Sequence, residues 1–140
     1  MHFLDQYILE MNNIHKHFPG VYALRGASLN LKSGEVMALV GENGAGKSTI
    51  INILGGIYSL DEGQILIDGS DAHITDVISA RNKGISIIHQ ELVLVPYLTV
   101  AENIFINREP LNGIFVNKAQ MFEKAQEYIK KFGMNISAYD

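Results

Sequence analysis

Gly41, Gly44 and Gly46 lead directly into Lys47 and Ser48, so that Gly41-Glu42-Asn43-Gly44-Ala45-Gly46-Lys47-Ser48 fits the pattern G-x-x-x-x-G-K-S. Each residue type in it suits a polyphosphate. Glycines take up backbone angles closed to other residues and let successive N–H groups approach phosphate oxygens with no Cβ in the way. A helix starting just behind them adds a partial positive charge. The Lys47 ammonium is a point charge for the β- and γ-phosphates, and the Ser48 hydroxyl can ligate Mg²⁺. Residues 41–48, with Thr49 behind them, are therefore the expected cradle for a nucleoside triphosphate, ATP with magnesium, and Lys47 is its expected catalytic cation. A ligand-free glycine turn would not require a Lys-Ser pair at a helix start. A guanine reader of the form Asn-Lys-x-Asp is missing, because the nearest string, Asn82-Lys83-Gly84-Ile85, has no acid.

Such a loop needs a strand before it and a helix after it. Residues 35–40 form an apolar run that reads as a strand, and the segment from Ser48 can run as a short helix stopped by Gly55-Gly56. Upstream, residues 7–13 and 23–31 read as strands. Downstream, residues 64–67 form a short strand closed by the turn pair Asp68-Gly69, residues 74–83 a helix ending at Gly84, and residues 85–88 a buried strand. Gln90 opens a loop carrying Pro96. Thr99 and Glu102 have the spacing of a capping box, so a helix begins there. Asn117 and Gln120 form a weaker box, followed by Phe122, Ala125, Ile129 and Phe132 at helical spacing up to Gly133.

The chain of 140 residues has the size of one domain, with 47% apolar and 19% charged residues, which places it among globular chains. Its formal net charge of −4 argues against nucleic acid as a partner, which calls for a basic stripe. Without cysteine it has no disulfide and no zinc-thiolate site, which fits a reducing cytoplasm. No apolar run approaches the roughly eighteen residues of a membrane span. His15 and His17 would share one strand face as a metal pair does, but no third ligand is near.

The wording around the loop is more specific than the loop itself. Gly-Glu-Asn-Gly-Ala-Gly-Lys-Ser-Thr, then Ile-Leu-Gly-Gly-Ile-Tyr, Asp-Glu-Gly-Gln-Ile and Ile-Asp-Gly, resembles the ATPases of ATP-binding-cassette (ABC) transporters. The stretches Gly-Ile-Ser-Ile-Ile-His-Gln-Glu-Leu and Leu-Thr-Val-Ala-Glu-Asn-Ile-Phe resemble the sugar-import branch, whose members serve ribose, galactose, xylose or arabinose uptake. The resemblance implies an α/β fold. Residues 1–98 would be the N-terminal part of the P-loop NTPase core, with an antiparallel N-terminal β-subdomain, and residues 99–140 the start of an α-helical subdomain, together an incomplete ABC ATPase domain. It also implies that Phe18 stacks on adenine and that the amide of Gln90 contacts Mg²⁺ or the attacking water. The intact protein would couple ATP hydrolysis to monosaccharide import as a peripheral subunit on the cytoplasmic face of the inner membrane. Its partners would be a second ATPase cassette, membrane permease subunits and, indirectly, a periplasmic sugar-binding protein.

The family pattern is then interrupted. No Leu-Ser-Gly-Gly-Gln signature, no apolar strand ending in Asp-Glu and no late switch histidine occurs in these residues. Asp68 follows an apolar strand, but Gly69 comes next, and the turn explains it. The expectation is an N-terminal portion of a longer ATPase that binds nucleotide and does not turn it over. The other reading is a non-catalytic nucleotide-binding or docking module, and phosphate release by the intact protein separates the two.

Overall fold

The computed structural model describes residues 7–88 and 94–140, which belong to two separate compact units. The first unit is a four-stranded antiparallel sheet in the order β2-β1-β3-β4, comprising β1 (Tyr7–Phe18), β2 (Val21–Lys32), β3 (Glu62–Ile67) and β4 (Ser70–Asp71). With it go the helices α1 (Lys47–Leu54) and α2 (Val77–Asn82). The expected antiparallel subdomain is present. β1 runs five residues beyond the expected end at Asn13, to Phe18. The reason is a bulge: Leu9 and Met11 are buried, the inward phase then slips to Ile14 and Lys16, and Asn13 takes a φ of 52° at the slip. The Asn13 N–H donates to Ser28 Oγ at 3.0 Å instead of to the ladder. Gly63 of β3 crosses this bulge so closely that a Cβ there would lie 2.5 Å from the Asn13 carbonyl oxygen.

Leu9, Met11 and Ile14 of β1 share a core with Leu24 of β2, Ile65 of β3 and Ile50 and Ile53 of α1. Ile50 and Ile53 are three positions apart and so share one helix face. Each fully buried aliphatic side chain of this kind contributes roughly 1.5–3 kcal/mol, which holds α1, and with it the loop before it, on the sheet. The Asp68-Gly69 pair makes the two-residue hairpin between β3 and β4, with φ values of 50° and 73°.

Three expectations are corrected. Residues 35–40 and 85–88 form no ladder among the described residues, and Val36 and Ile88 are 97% and 91% exposed. An apolar run becomes a strand only where a neighbour supplies hydrogen bonds, and none of the described segments does so here. The helix expected at residues 74–83 is shorter, because Asp76 is an extended N-cap whose carboxylate accepts from the Ser79 N–H at 2.7 Å.

The second unit packs α3 (Val100–Phe105) against α4 (Lys118–Lys131), with a small hairpin of β5 (Leu111–Asn112) and β6 (Phe115–Val116) between them in sequence. Thr99 and Glu102 form a complete capping box at α3, as their spacing predicts. The Glu102 carboxyl is held below its usual value mainly by the Thr99 N–H and then by the Thr99 hydroxyl. The buried stripe of α4 is Met121, Ala125 and Ile129. Phe132, expected in that stripe, caps the helix at 75% exposure, and Met121 takes a place in the core instead. The side chain of Asn103 ties the preceding loop: its amide donates to the carbonyls of Val95, Leu98 and Thr99, and its oxygen accepts from the Val95 N–H.

Candidate functional site

The residues 41–48 lie at the entry to α1, whose N-cap is Gly46 at a φ of 87°. The first intrahelical bond is Ile50 N–H to the Gly46 carbonyl at 3.0 Å. Gly46 has no side chain to cap the helix, so the amides of Lys47, Ser48 and Thr49 find no acceptor among the described residues. These are donors a phosphate can satisfy. Gly44 also sits at a φ of 87°, and a Cβ placed on it would meet nothing within 4 Å. Gly46 is different, because its Cβ would lie 2.6 Å from Leu24 Cδ2 and 2.9 Å from the Ala23 carbonyl oxygen. One glycine shapes the loop and the other lets it rest on β2.

Lys47 Nζ donates to the carbonyls of Gly41 and Glu42, each at 2.7 Å, and so folds back across its own loop. The Ala45 N–H donates to the Glu42 carbonyl at 3.2 Å, a tight turn inside the loop. Ser48 is exposed at the helix start. A cleft of about 190 Å³ lies between the loop, α1 and β2. Apart from Ser28 and Lys47 its side chains are hydrocarbon, including Leu24, Leu29, Val40 and Ile50. It therefore offers little to phosphate oxygens, and the amide face of the loop is the polar surface. Among the described residues no group of three His, Asp or Glu side chains could hold a metal ion. A magnesium ion here would take its oxygen ligands from Ser48, water and the phosphates themselves, as that ion ordinarily does.

Residues 24–139 match the sequence profile of the ABC transporter family. The chain belongs to that family. Membership implies nucleotide binding. It is 49% identical over 129 residues to a ribose import ATP-binding protein of Rubrobacter xylanophilus, covering 92% of this chain and 26% of the relative. Identity to a ribose import ATP-binding protein of Rhodopirellula baltica is 46% over 134 residues, covering 95% of this chain and 26% of the relative. Identity to a xylose import ATP-binding protein of Thermoanaerobacter pseudethanolicus is 44% over 138 residues, covering 97% and 27%. The chain thus spans about a quarter of the length of the curated relatives it matches. Among solved structures, one ATP-binding cassette of an ABC transporter superposes with a TM-score of 0.76 at 28% identity, covering 91% of this chain and 55% of the other. A nucleotide-free cassette superposes with a TM-score of 0.66 at 31% identity, covering 84% and 46%. Both carry the ABC ATPase fold, and this chain shares it.

Phe18 ends β1, half-buried, with its ring edge-to-face on Tyr58 at a centroid distance of 5.1 Å. Lys16 Nζ lies 5.5 Å from the centre of the same ring. The ladder sets Lys16 opposite Leu24, the residue against which Gly46 rests, so the aromatic end of β1 and the loop meet the same stretch of β2. Gln90 and its neighbour Glu91 lie outside the described residues. His15 and His17 flank Tyr22, His15 through a 3.1 Å hydrogen bond and both through edge contacts. The sequence reading missed Lys16, Asp61 and Tyr58. A signal existed for Lys16: the alternation that buries Ile14 also buries the second residue after it, and an inward lysine requires a counter-charge. No helix among the described residues is long and apolar enough to cross a membrane.

Proposed function

We propose that this chain is the nucleotide-binding portion of an ABC importer ATPase, binding MgATP through residues 41–49 with Lys47 on the β- and γ-phosphates and Ser48 on the metal. The observation that carries the reading is the run of amides at Lys47, Ser48 and Thr49 with no acceptor among the described residues, beside a lysine placed to exchange carbonyl oxygens for phosphate oxygens. Phe18 is the adenine-facing aromatic, and Gln90 contacts Mg²⁺ or the attacking water. The intact protein hydrolyses ATP to drive import of a monosaccharide, a reading supported by the ribose and xylose import proteins among its relatives. Residues 1–98 are then the N-terminal part of the ATPase core and 99–140 the opening of its helical subdomain. A second cassette, permease subunits and a periplasmic sugar-binding protein are its partners, and the protein works at the cytoplasmic face of the inner membrane.

These residues bind MgATP but do not turn it over, because hydrolysis needs a water-orienting carboxylate and a partner's signature sequence that they do not encode. Losing one transition-state contact costs about 10²–10³ in rate, so losing several leaves nothing to measure. Lys47→Ala tests both halves. It removes charge-assisted bonds worth about 1.5–3 kcal/mol, so isothermal titration should show MgATP binding weakened by roughly tenfold or more. Equal affinity in wild type and variant refutes the site. Phosphate release from the wild-type chain that disappears in the variant refutes the predicted lack of turnover.

A further inference from the structure

The end of β1 is held by a residue distant in sequence. The Lys16 side chain is 11% exposed, and its ammonium donates to Asp61 Oδ1 at 2.7 Å. The second oxygen of the same carboxylate, Oδ2, accepts the His17 N–H at 2.6 Å. The Asp61 N–H donates in turn to the His15 carbonyl at 3.0 Å. Asp61 thus grips three consecutive residues, and it does so where the β1–β2 register slips, between Lys16 and His17. Phe18 is the next residue. Its ring lies beneath the Lys16 ammonium and against the edge of Tyr58, which is carried at the end of α1 by its own N–H bond to the Asn52 carbonyl at 3.2 Å. The segment that follows α1 and the strand that bears Phe18 therefore meet at this ring.

A buried ammonium is costly unless it is paired and hydrogen-bonded, so Lys16 goes where Asp61 is. A register slip bends and twists a strand locally; beyond it His17 and Phe18 pair again with Tyr22 and Val21, and Asp61 fixes the bend itself. We infer that Asp61 is a positioning residue for the nucleotide base: through Lys16 and the His17 amide it sets the ring of Phe18 as a platform for a purine, with Tyr58 bracing it. This rests on the reading of Phe18 as the base-facing aromatic. The contacts of Asp61 are to Lys16, His17 and His15, so its effect on the base would pass through Phe18. Asp61 should therefore govern recognition of the base and leave recognition of the phosphates alone, a division that a merely structural aspartate would not produce.

Isothermal titration of the chain with MgATP and, separately, with magnesium inorganic triphosphate reads that division. Loss of one aromatic stacking contact amounts to about a two- to tenfold change in affinity. Asp61→Asn should weaken MgATP by that factor, leave triphosphate affinity as in wild type, and regain part of the loss in Asp61→Glu. The Asp61→Asn/Phe18→Ala double variant should bind MgATP no worse than Phe18→Ala alone, since both act at one ring. If Asp61→Asn does not fold, Lys16→Met, which removes the buried charge together with its need for a partner, carries the same expectation. Full MgATP affinity in Asp61→Asn beside a base-selective loss in Phe18→Ala overturns the inference and leaves the base reading standing. Equal losses of MgATP and triphosphate in Phe18→Ala remove the platform and the inference with it. Unchanged triphosphate binding in Lys47→Ala tells against the phosphate site instead.

Discussion

Gly46→Ala should damage the protein more than Gly44→Ala, although both glycines sit at a φ of 87°. An L-residue in this left-handed region costs about 1–2 kcal/mol, a penalty the two substitutions share. At Gly44 that is all, because a methyl group there meets nothing within 4 Å. At Gly46 the methyl would overlap Leu24 Cδ2 at 2.6 Å and the Ala23 carbonyl oxygen at 2.9 Å. Leu24 is only 5% exposed and packed in the core, and the carbonyl belongs to β2, so neither yields without a shift of packed structure. Overpacking of this kind typically adds about 1–3 kcal/mol. The expected losses are therefore roughly 1–2 kcal/mol for Gly44→Ala and roughly 2–5 kcal/mol for Gly46→Ala. Urea unfolding followed by circular dichroism measures both, read as midpoint shifts at constant slope. If the two variants lose equal stability, the loop does not rest on β2 as described, and the role given to Gly46 is wrong.

Acid should unfold the first unit through its paired carboxylates. Asp61 is held below its ordinary value by the Lys16 ammonium and then the His17 N–H, Asp71 by the His73 N–H and then Gln64, and Asp76 by the Ser79 N–H. A lowered folded value means that the stabilisation is complete above the unfolded carboxylate range, about pH 4, and is lost as pH falls through the folded values. The urea midpoint should be level from about pH 5 upward and fall below about pH 4, less steeply in Asp61→Asn, and a midpoint that rises on acidification contradicts the assignment. Gln90→Ala in the intact protein should leave MgATP affinity nearly unchanged and reduce the ATPase stimulation given by permease subunits. Stimulation equal to wild type in a reconstituted transporter removes that role.

What could be read from sequence was local. The Gly46-Lys47 junction, the Asp68-Gly69 turn and the Thr99/Glu102 box each involve groups within a few residues of one another, and their chemistry fixes their geometry wherever they occur. What escaped depends on distant neighbours. The bulge at Asn13 answers to Ser28 and to the close passage of Gly63, and Asp61 meets Lys16 across the sheet. The runs at 35–40 and 85–88 have strand-like composition, but pairing makes a strand, and composition does not contain the partner. In α4 the stripe was off by a side chain at each end. Phe132 is the larger hydrophobe, yet it falls past the last turn, whereas Met121 falls on the inner face.

The loop is held unevenly, and this changes what Lys47 does. Downstream of it, α1 is anchored by Ile50 and Ile53 in the core, and Gly46 rests on β2. Upstream, residues 36–40 share no ladder with any described residue, so Gly41 and Glu42 are fixed by other means. The two bonds from Lys47 Nζ reach those two carbonyls, and the ammonium closes the loop from its helical side. A phosphate bound at the amides of Lys47, Ser48 and Thr49 would compete for the same ammonium, offering an anionic acceptor where the carbonyls are neutral. On the function proposed above, Lys47 would serve the loop before a nucleotide binds and the phosphates afterwards, with the carbonyls of Gly41 and Glu42 holding its ammonium within the loop in the meantime.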